Sequence, residues 1–138
     1  MKILSHYKHT LRASYISYMS HAIVNNFTSL LFVMFYTHYG ISFQKLGLLV
    51  TFNFVIQLCM DFMIAKWGDR LGYRRLIVVS HILMAVGLIG LAVLPDLFQD
   101  SYAGLLTAIF LYATGGGIIE VLISPIVEPV RPRKNRGI

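Results

Sequence analysis

One acidic residue, Glu120, lies in the middle of a long apolar run, where an ionised side chain is costly. Acids in such positions are rare and usually functional, so Glu120 could take up a proton on one side of a membrane and release it on the other. The alternative is a carboxyl group that stays protonated and bonds to a neighbouring helix. A second acid, Asp61, lies near the charged end of another run. An ion pair with Lys66 or with the arginines that follow explains Asp61 at least as well as contact with a substrate.

Polar side chains also recur at helical spacing in two other apolar runs. Residues at positions i, i+4 and i+8 share one face of a helix. The first run has His21, Asn25 and Ser29 at this spacing, and the second has Asn53, Gln57 and Asp61. Such amides and hydroxyls could bind a small polar solute, or they could join helices at about 1 kcal/mol each. The candidate solute-binding residues are Asn25, Asn26, Ser29, Asn53, Gln57 and Ser124.

The runs that carry these residues are long enough to cross a membrane. The chain has 138 residues, of which 57% are hydrophobic and 13% are charged, whereas a soluble domain has about a quarter charged. About 20 residues of helix cross the hydrocarbon core. Four runs reach that length, at about 13–39, 46–66, 76–95 and 102–130, before a basic tail at 131–138. We predict an all-α, polytopic membrane helix bundle with four transmembrane helices.

The basic residues are clustered between these runs. Of the 12 Lys and Arg residues, all but Lys45 lie in the first 12 residues, in the segment 65–75 or in the tail. Cytoplasmic segments are enriched in Lys and Arg, so we expect both termini in the cytoplasm and the chain in the plasma membrane. The net charge of +6 does not indicate nucleic acid binding, because the cations do not form one amphipathic face.

Other kinds of chemistry have little support in the sequence. It contains no nucleotide-binding loop, zinc-ligand spacing or nucleophile motif, so we expect neither an enzyme nor a metal site or cofactor. His21 and His81 suggest one alternative, since each lies a few residues into a predicted span and the pair could ligate a haem. The absence of a second pair or an attachment motif argues against it.

The segment 65–75 reads Ala-Lys-Trp-Gly-Asp-Arg-Leu-Gly-Tyr-Arg-Arg. It resembles the cytoplasmic motif G-x-x-x-D-R-x-G-[RK]-[RK] between helices 2 and 3 of the major facilitator superfamily, with alanine for the first glycine and a tyrosine before the arginines. The resemblance implies gating, in which the motif contacts a helix of the other half and stabilises the outward-facing state. A loop that only follows positive-inside statistics is the alternative. The gating residues would be Asp69, Arg70, Gly72, Arg74 and Arg75.

The fourth run resembles helix 4 of the fucose-permease branch of that superfamily, in which glycines precede a glutamate and then Asn-Pro. Here residues 115–117 are glycines, Glu120 follows them, and Ser124 replaces the asparagine. The resemblance implies that Glu120 couples transport to a proton. Residues 25–29, Asn-Asn-Phe-Thr-Ser, resemble the Asn-Asn-x-x-Asp of helix 1 in that branch, but Ser29 replaces the acid, which leaves the substrate open.

These resemblances imply part of a proton-coupled secondary transporter, in a family built from two six-helix halves around a central site. We expect a fragment with the first four helices, from a truncated, split or frameshifted gene, which is inactive without the missing remainder. Its partners would be a small polar solute such as a sugar, a proton and the lipid bilayer. The alternative is a complete small four-helix protein that acts as an oligomeric multidrug carrier or a binding or scaffolding subunit. Small multidrug carriers have their key acid in helix 1, where this chain has none.

Overall fold

The computed structural model describes the backbone of residues 2–127 and the side chains of residues 8–123. Almost all of this part is helical, in the order α1 Lys2–Tyr39, α2 Phe43–Leu71, α3 Tyr73–Leu97 and α4 Ser101–Val127. The prediction of an all-α fold with four helices is therefore confirmed. The basic tail at 131–138 lies outside the described residues.

Among the described residues, three helices are long and apolar enough to cross a membrane: α2, α3 and the part of α4 from Ser101 to Ile123. Helix α1 has the length but not the composition, because polar side chains such as His21, Asn25 and Asn26 lower its hydropathy within the predicted span 13–39. A helix of this composition crosses hydrocarbon only when its polar face lies against protein or water.

The charged segment 65–75 is not a loop, which corrects the prediction of a connection there. Helix α2 continues to Leu71, and one residue, Gly72, separates it from α3. Gly72 has φ +84°, a conformation that glycine adopts without steric cost. Its N–H donates to the Gly68 carbonyl at 3.3 Å and its carbonyl accepts from Leu76 N–H at 3.2 Å, so the chain turns with little loss of backbone hydrogen bonding.

Two other helix ends also differ from the predicted ones. Helix α1 already begins at Lys2 rather than near residue 13, and α3 passes Pro95 and ends at Leu97. Proline within a helix lacks the N–H for one hydrogen bond, and its ring crowds the carbonyl four residues earlier, but the hydrogen bonds of later residues can still form. The Phe98 N–H still donates to the Leu94 carbonyl at 3.0 Å, so the last turn of α3 closes around the proline.

The distribution of side chains is that of a protein in lipid. Large apolar side chains cover the outer surface of the helices, and Leu30, Phe62 and Leu97 are each more than 70% exposed. Polar side chains are instead found inside, where His21, Asn53 and Gln57 are buried, as is Ser80. In hydrocarbon, polar groups of a span face the bundle interior.

Helix α4 is the centre of the bundle, because it packs against all three other helices and most extensively against α3. Its glycines at 115–117 make this possible: successive helical residues point about 100° apart, so three in a row face three directions. An added Cβ would lie 2.5 Å from Ser80 O of α3 at Gly115, 2.6 Å from His21 Cε1 of α1 at Gly116, and 2.8 Å from Met60 Cβ of α2 at Gly117. Each glycine thus allows close contact with a different helix.

Candidate functional site

Four polar side chains from three helices form a continuous array around Gly116. Gln57 Nε2 of α2 donates to Asn25 Oδ1 of α1 at 3.5 Å. Asn25 Nδ2 lies 3.5 Å from His21 Nε2, one turn earlier on α1. His21 Nε2 in turn lies 3.9 Å from Glu120 Oε2 of α4. The array therefore connects the acid of α4 with the predicted solute-binding amides of α1 and α2.

A cavity of about 190 Å³ lies beside one end of this array, between α1, α2 and α4. Among its lining residues, Asn53 is only 7% exposed, and its buried Oδ1 atom has no hydrogen-bond partner among the residues that the structure describes. A buried acceptor without a partner is costly, and a bound donor would remove that cost. Four of the six predicted solute-binding residues line the cavity: Asn25, Asn26, Ser29 and Asn53.

The other predicted solute-binding residues have different positions. Gln57 contacts Asn25 in the array and is not part of the cavity lining. Asn26 and Ser29 are exposed, so they lie on the rim of the cavity, and Asn26 Nδ2 donates to the Ala22 carbonyl at 2.7 Å. The side chain of Ser124 lies outside the described residues.

Glu120 also lines a second and larger space, a groove of about 550 Å³ between α2 and α4. The Glu120 side chain is 50% exposed. Asp61 and Asp69 of α2 line the same groove, and Asp61 interacts electrostatically with Glu120. Within the described part of the chain, the buried Oδ1 atom of Asp61 has no hydrogen-bond partner. Lys66, the cation considered as a partner for Asp61, has its Nζ atom 5.2 Å from the centre of the Trp67 ring. Glu120 is thus at the junction of the buried array and an open acidic groove.

The predicted gating residues lie together at the end of the bundle where α2 meets α3. All five are exposed. Asp69 Oδ1 accepts a hydrogen bond of 2.6 Å from Tyr73 O–H, across the one-residue joint. This end of the bundle therefore presents a carboxylate and several cations on its surface.

Some features of the site were not apparent from the sequence. The His21 contact with Glu120 joins residues 99 positions apart, whereas the residue pattern indicates only a polar stripe and a possible haem ligand for His21. His81, the other residue of that hypothesis, has its Nδ1 atom 2.8 Å from the Ile77 carbonyl of its own helix. The buried Tyr112 side chain bonds to Thr28 at the cavity wall. Thr28 lies beside the predicted polar stripe, but no pattern in the sequence indicated Tyr112. The glycine at position 116 was the one available signal, since it permits the close approach of α1.

Within the part of the chain that the structure describes, no group of three or more His, Cys, Asp or Glu side chains could hold a metal ion.

Comparison with known proteins gives one match. The family model described as Major Facilitator Superfamily matches residues 14–138. A search of curated proteins and a search of solved structures found no match. The matched range includes the whole polar array, the cavity, the groove and the charged α2–α3 joint.

Proposed function

Since this chain belongs to the major facilitator superfamily, whose members are membrane transporters, we propose that it takes part in the proton-coupled transport of a small polar, sugar-like solute by alternating access. The observation that carries this proposal is the array from Gln57 through Asn25 and His21 to Glu120. An array of this kind joins a group that can bind a proton to groups that can bind a solute.

The cavity supports a small solute with hydroxyl or amino groups. Asn53 Oδ1 needs a donor, and the Asn25 and Asn26 amides and the Ser29 hydroxyl can act as donors or acceptors. The volume of about 190 Å³ is below the 300–1,000 Å³ usual for ligand pockets. We propose that α1, α2 and α4 form one wall of the solute site and that further helices of the transporter form the other.

Glu120 supports proton coupling because it belongs to both environments. On one side it faces the buried imidazole of His21, and on the other it lines the open groove. A carboxyl group in this position can exchange a proton with water from the groove and transmit its charge to the array. We propose Glu120 as the proton-coupling residue and the charged α2–α3 joint as the gating element on the cytoplasmic side of the plasma membrane. The 138-residue chain alone would bind solute without transporting it.

Replacing Asn53 by leucine is expected to weaken solute binding about 5- to 150-fold, because a donor group of the bound solute is then buried without an acceptor, which costs about 1–3 kcal/mol. The measurement is calorimetric titration of the 138-residue chain in lipid nanodiscs with a panel of neutral monosaccharides and polyols. Thr51→Val is the matched control, since Thr51 is exposed on the same helix and its hydroxyl bonds to the Gly47 carbonyl. Equal affinity for both variants would contradict a role for Asn53 in solute binding.

A cysteine at position 74 is expected to react with an impermeant maleimide only from the cytoplasmic side. Arg74 is exposed at the α2–α3 joint, and positive charge favours cytoplasmic segments. The measurement compares labelling of Arg74→Cys in intact cells and in inverted vesicles, with Cys59→Ser as background because Cys59 is exposed. Gln99→Cys, at the α3–α4 turn, is the control and should show the opposite pattern. Labelling at position 74 in intact cells would overturn the orientation.

A further inference from the structure

We propose that His21 is a proton-controlled switch for the Asn25 amide, and that this switch transmits the charge of Glu120 to the solute cavity. The inference rests on the proposed function, since it names the positioning residue through which a proton acts on the solute site. It comes from one atom, His21 Nε2, which lies between Asn25 Nδ2 at 3.5 Å and Glu120 Oε2 at 3.9 Å.

The His21 ring is held in a defined place. Its side chain is only 8% exposed, and an added Cβ at Gly116 would lie 2.6 Å from its Cε1 and 2.8 Å from its Nδ1. The backbone of α4 therefore supports one side of the ring. Since the ring is buried and cannot move further towards α4, a change in its protonation acts first on the two groups next to Nε2, Asn25 and Glu120.

The two protonation states of Nε2 require different partners. When Nε2 has no proton, it accepts from Asn25 Nδ2, and Asn25 Oδ1 remains free to accept from Gln57 Nε2 as observed. When Nε2 carries a proton, two donors face each other at the Asn25 contact, which is unfavourable. The amide then turns so that Oδ1 accepts from Nε2–H, and the bond from Gln57 to Oδ1 is lost.

Glu120 provides the charge that sets the state of Nε2. At 3.9 Å the imidazole and the carboxyl are close enough to attract each other when both are charged but are beyond hydrogen-bond distance, so a proton passes between them through closer approach or one bridging water. Transfer from the Glu120 carboxyl to Nε2 leaves a carboxylate and an imidazolium, and the reverse transfer restores the neutral pair. The proton itself enters from water in the groove.

Each helix that packs near the His21–Glu120 pair contributes titratable groups to its surroundings. Glu120 faces His21 from α4, and Asp61 of α2 acts on Glu120 electrostatically. On α3, the titratable side chain His81 bonds to the Ile77 carbonyl of its own helix. Asp61 and Glu120 therefore line the same groove, and of these two acids Glu120 is the one placed beside His21.

The consequence for the cavity is a change in its hydrogen-bonding character. Asn25 lines the cavity, so turning its amide exchanges an acceptor for a donor at one position of the wall. A solute that prefers one arrangement shifts the protonation of the His21–Glu120 pair, and protonation shifts the affinity for that solute by the same factor. This reciprocity is the minimum that coupling of proton and solute requires.

The test is a pH titration of the full 138-residue chain in lipid nanodiscs by nuclear magnetic resonance, with labelled His, Asn and Gln side chains. Between about pH 5 and 8, where imidazoles titrate, the side-chain amide signals of Asn25 and Gln57 should shift with the same midpoint as the His21 ring. Asn26 is the internal control, because its Nδ2 donates to the Ala22 carbonyl rather than to His21, and its signal should not follow.

Three results would overturn the switch: a His21 ring that does not titrate in this range, an Asn25 amide that stays fixed while His21 titrates, or an equal Asn25 shift in His21→Phe. The first two need no variant, so they hold even where His21→Phe fails to fold. The titration uses no solute and no transport, and its failure is therefore distinct from failure of the proposed function. That function fails instead when the carboxyl of Glu120 is dispensable for proton-driven uptake.

Discussion

Replacing Gly115 by alanine is expected to destabilise the helix bundle by about 1–3 kcal/mol, the usual cost of overpacking a tightly packed interior. The new Cβ would lie 2.5 Å from Ser80 O and 2.9 Å from the Met84 backbone nitrogen. Both atoms belong to the α3 backbone, which cannot rotate out of the way as a side chain can. Helix α3 must therefore move away from α4, and this pair forms the most extensive contact in the bundle.

Gly47→Ala is the matched control for this substitution. Gly47 also lies within a helix, α2, but nothing lies within 4 Å of a Cβ added there. Alanine favours a helix over glycine by about 1 kcal/mol, so the control should be neutral or stabilising. The measurement is the free energy of unfolding of both variants, from reversible unfolding in mixed micelles monitored by circular dichroism. Equal stability of the two variants would contradict the close packing of α3 against α4.

The same glycines explain why the fold and the site are inseparable. Gly115 fixes the distance between α4 and α3, while Gly116 allows His21 and Gln57 to approach α4. Glu120 lies one turn further along α4, where its carboxyl group contacts the same histidine. Small residues at helix contacts in membranes usually serve packing alone. In this chain they also bring the groups of the polar array together.

The main elements of the fold were predictable because the lipid environment requires them. Long apolar runs must be helices, and polar residues at a spacing of four must face protein or water. The end of α2 was not predictable in the same way. Charge and glycine in the segment 65–75 indicate a loop, but one glycine with positive φ is sufficient to turn the chain and keeps the charged residues helical.

For the site, the sequence predicts which face of each helix is polar, but it does not predict which residues of different helices touch. The stripes of α1 and α2 indicated which side chains point inward, and Asn25, Gln57 and Asn53 are indeed partly or fully buried. Which residues touch depends on the rotation and depth of each helix, and no spacing within one helix contains that information. For this reason the sequence does not predict that His21 lies beside Glu120, although these are the two titratable side chains of the array.

Replacing Glu120 by glutamine is expected to abolish proton-driven accumulation of the solute. Glutamine has nearly the same shape but cannot release a proton, so the cycle loses its coupling step. A gradient of one pH unit is worth about 1.4 kcal/mol, which supports about tenfold accumulation when one proton moves with each solute. The variant should bring the solute only to equal concentrations on both sides. The measurement is solute uptake into membrane vesicles, with and without an imposed pH gradient. The vesicles come from cells that express the natural gene that encodes this chain, either unmodified or with the Glu120→Gln substitution.

Asp61→Asn is the control that makes this result specific to Glu120. Asp61 lines the same groove and interacts electrostatically with Glu120, so its substitution removes an equal charge from the same environment. Because Glu120, of these two acids, is the one beside the imidazole that leads to the cavity, Asp61→Asn should keep most of the accumulation. Loss of accumulation in Asp61→Asn with full accumulation in Glu120→Gln would assign the proton to Asp61. Full accumulation in both variants would show that Glu120 is a hydrogen-bonding carboxyl that never releases its proton.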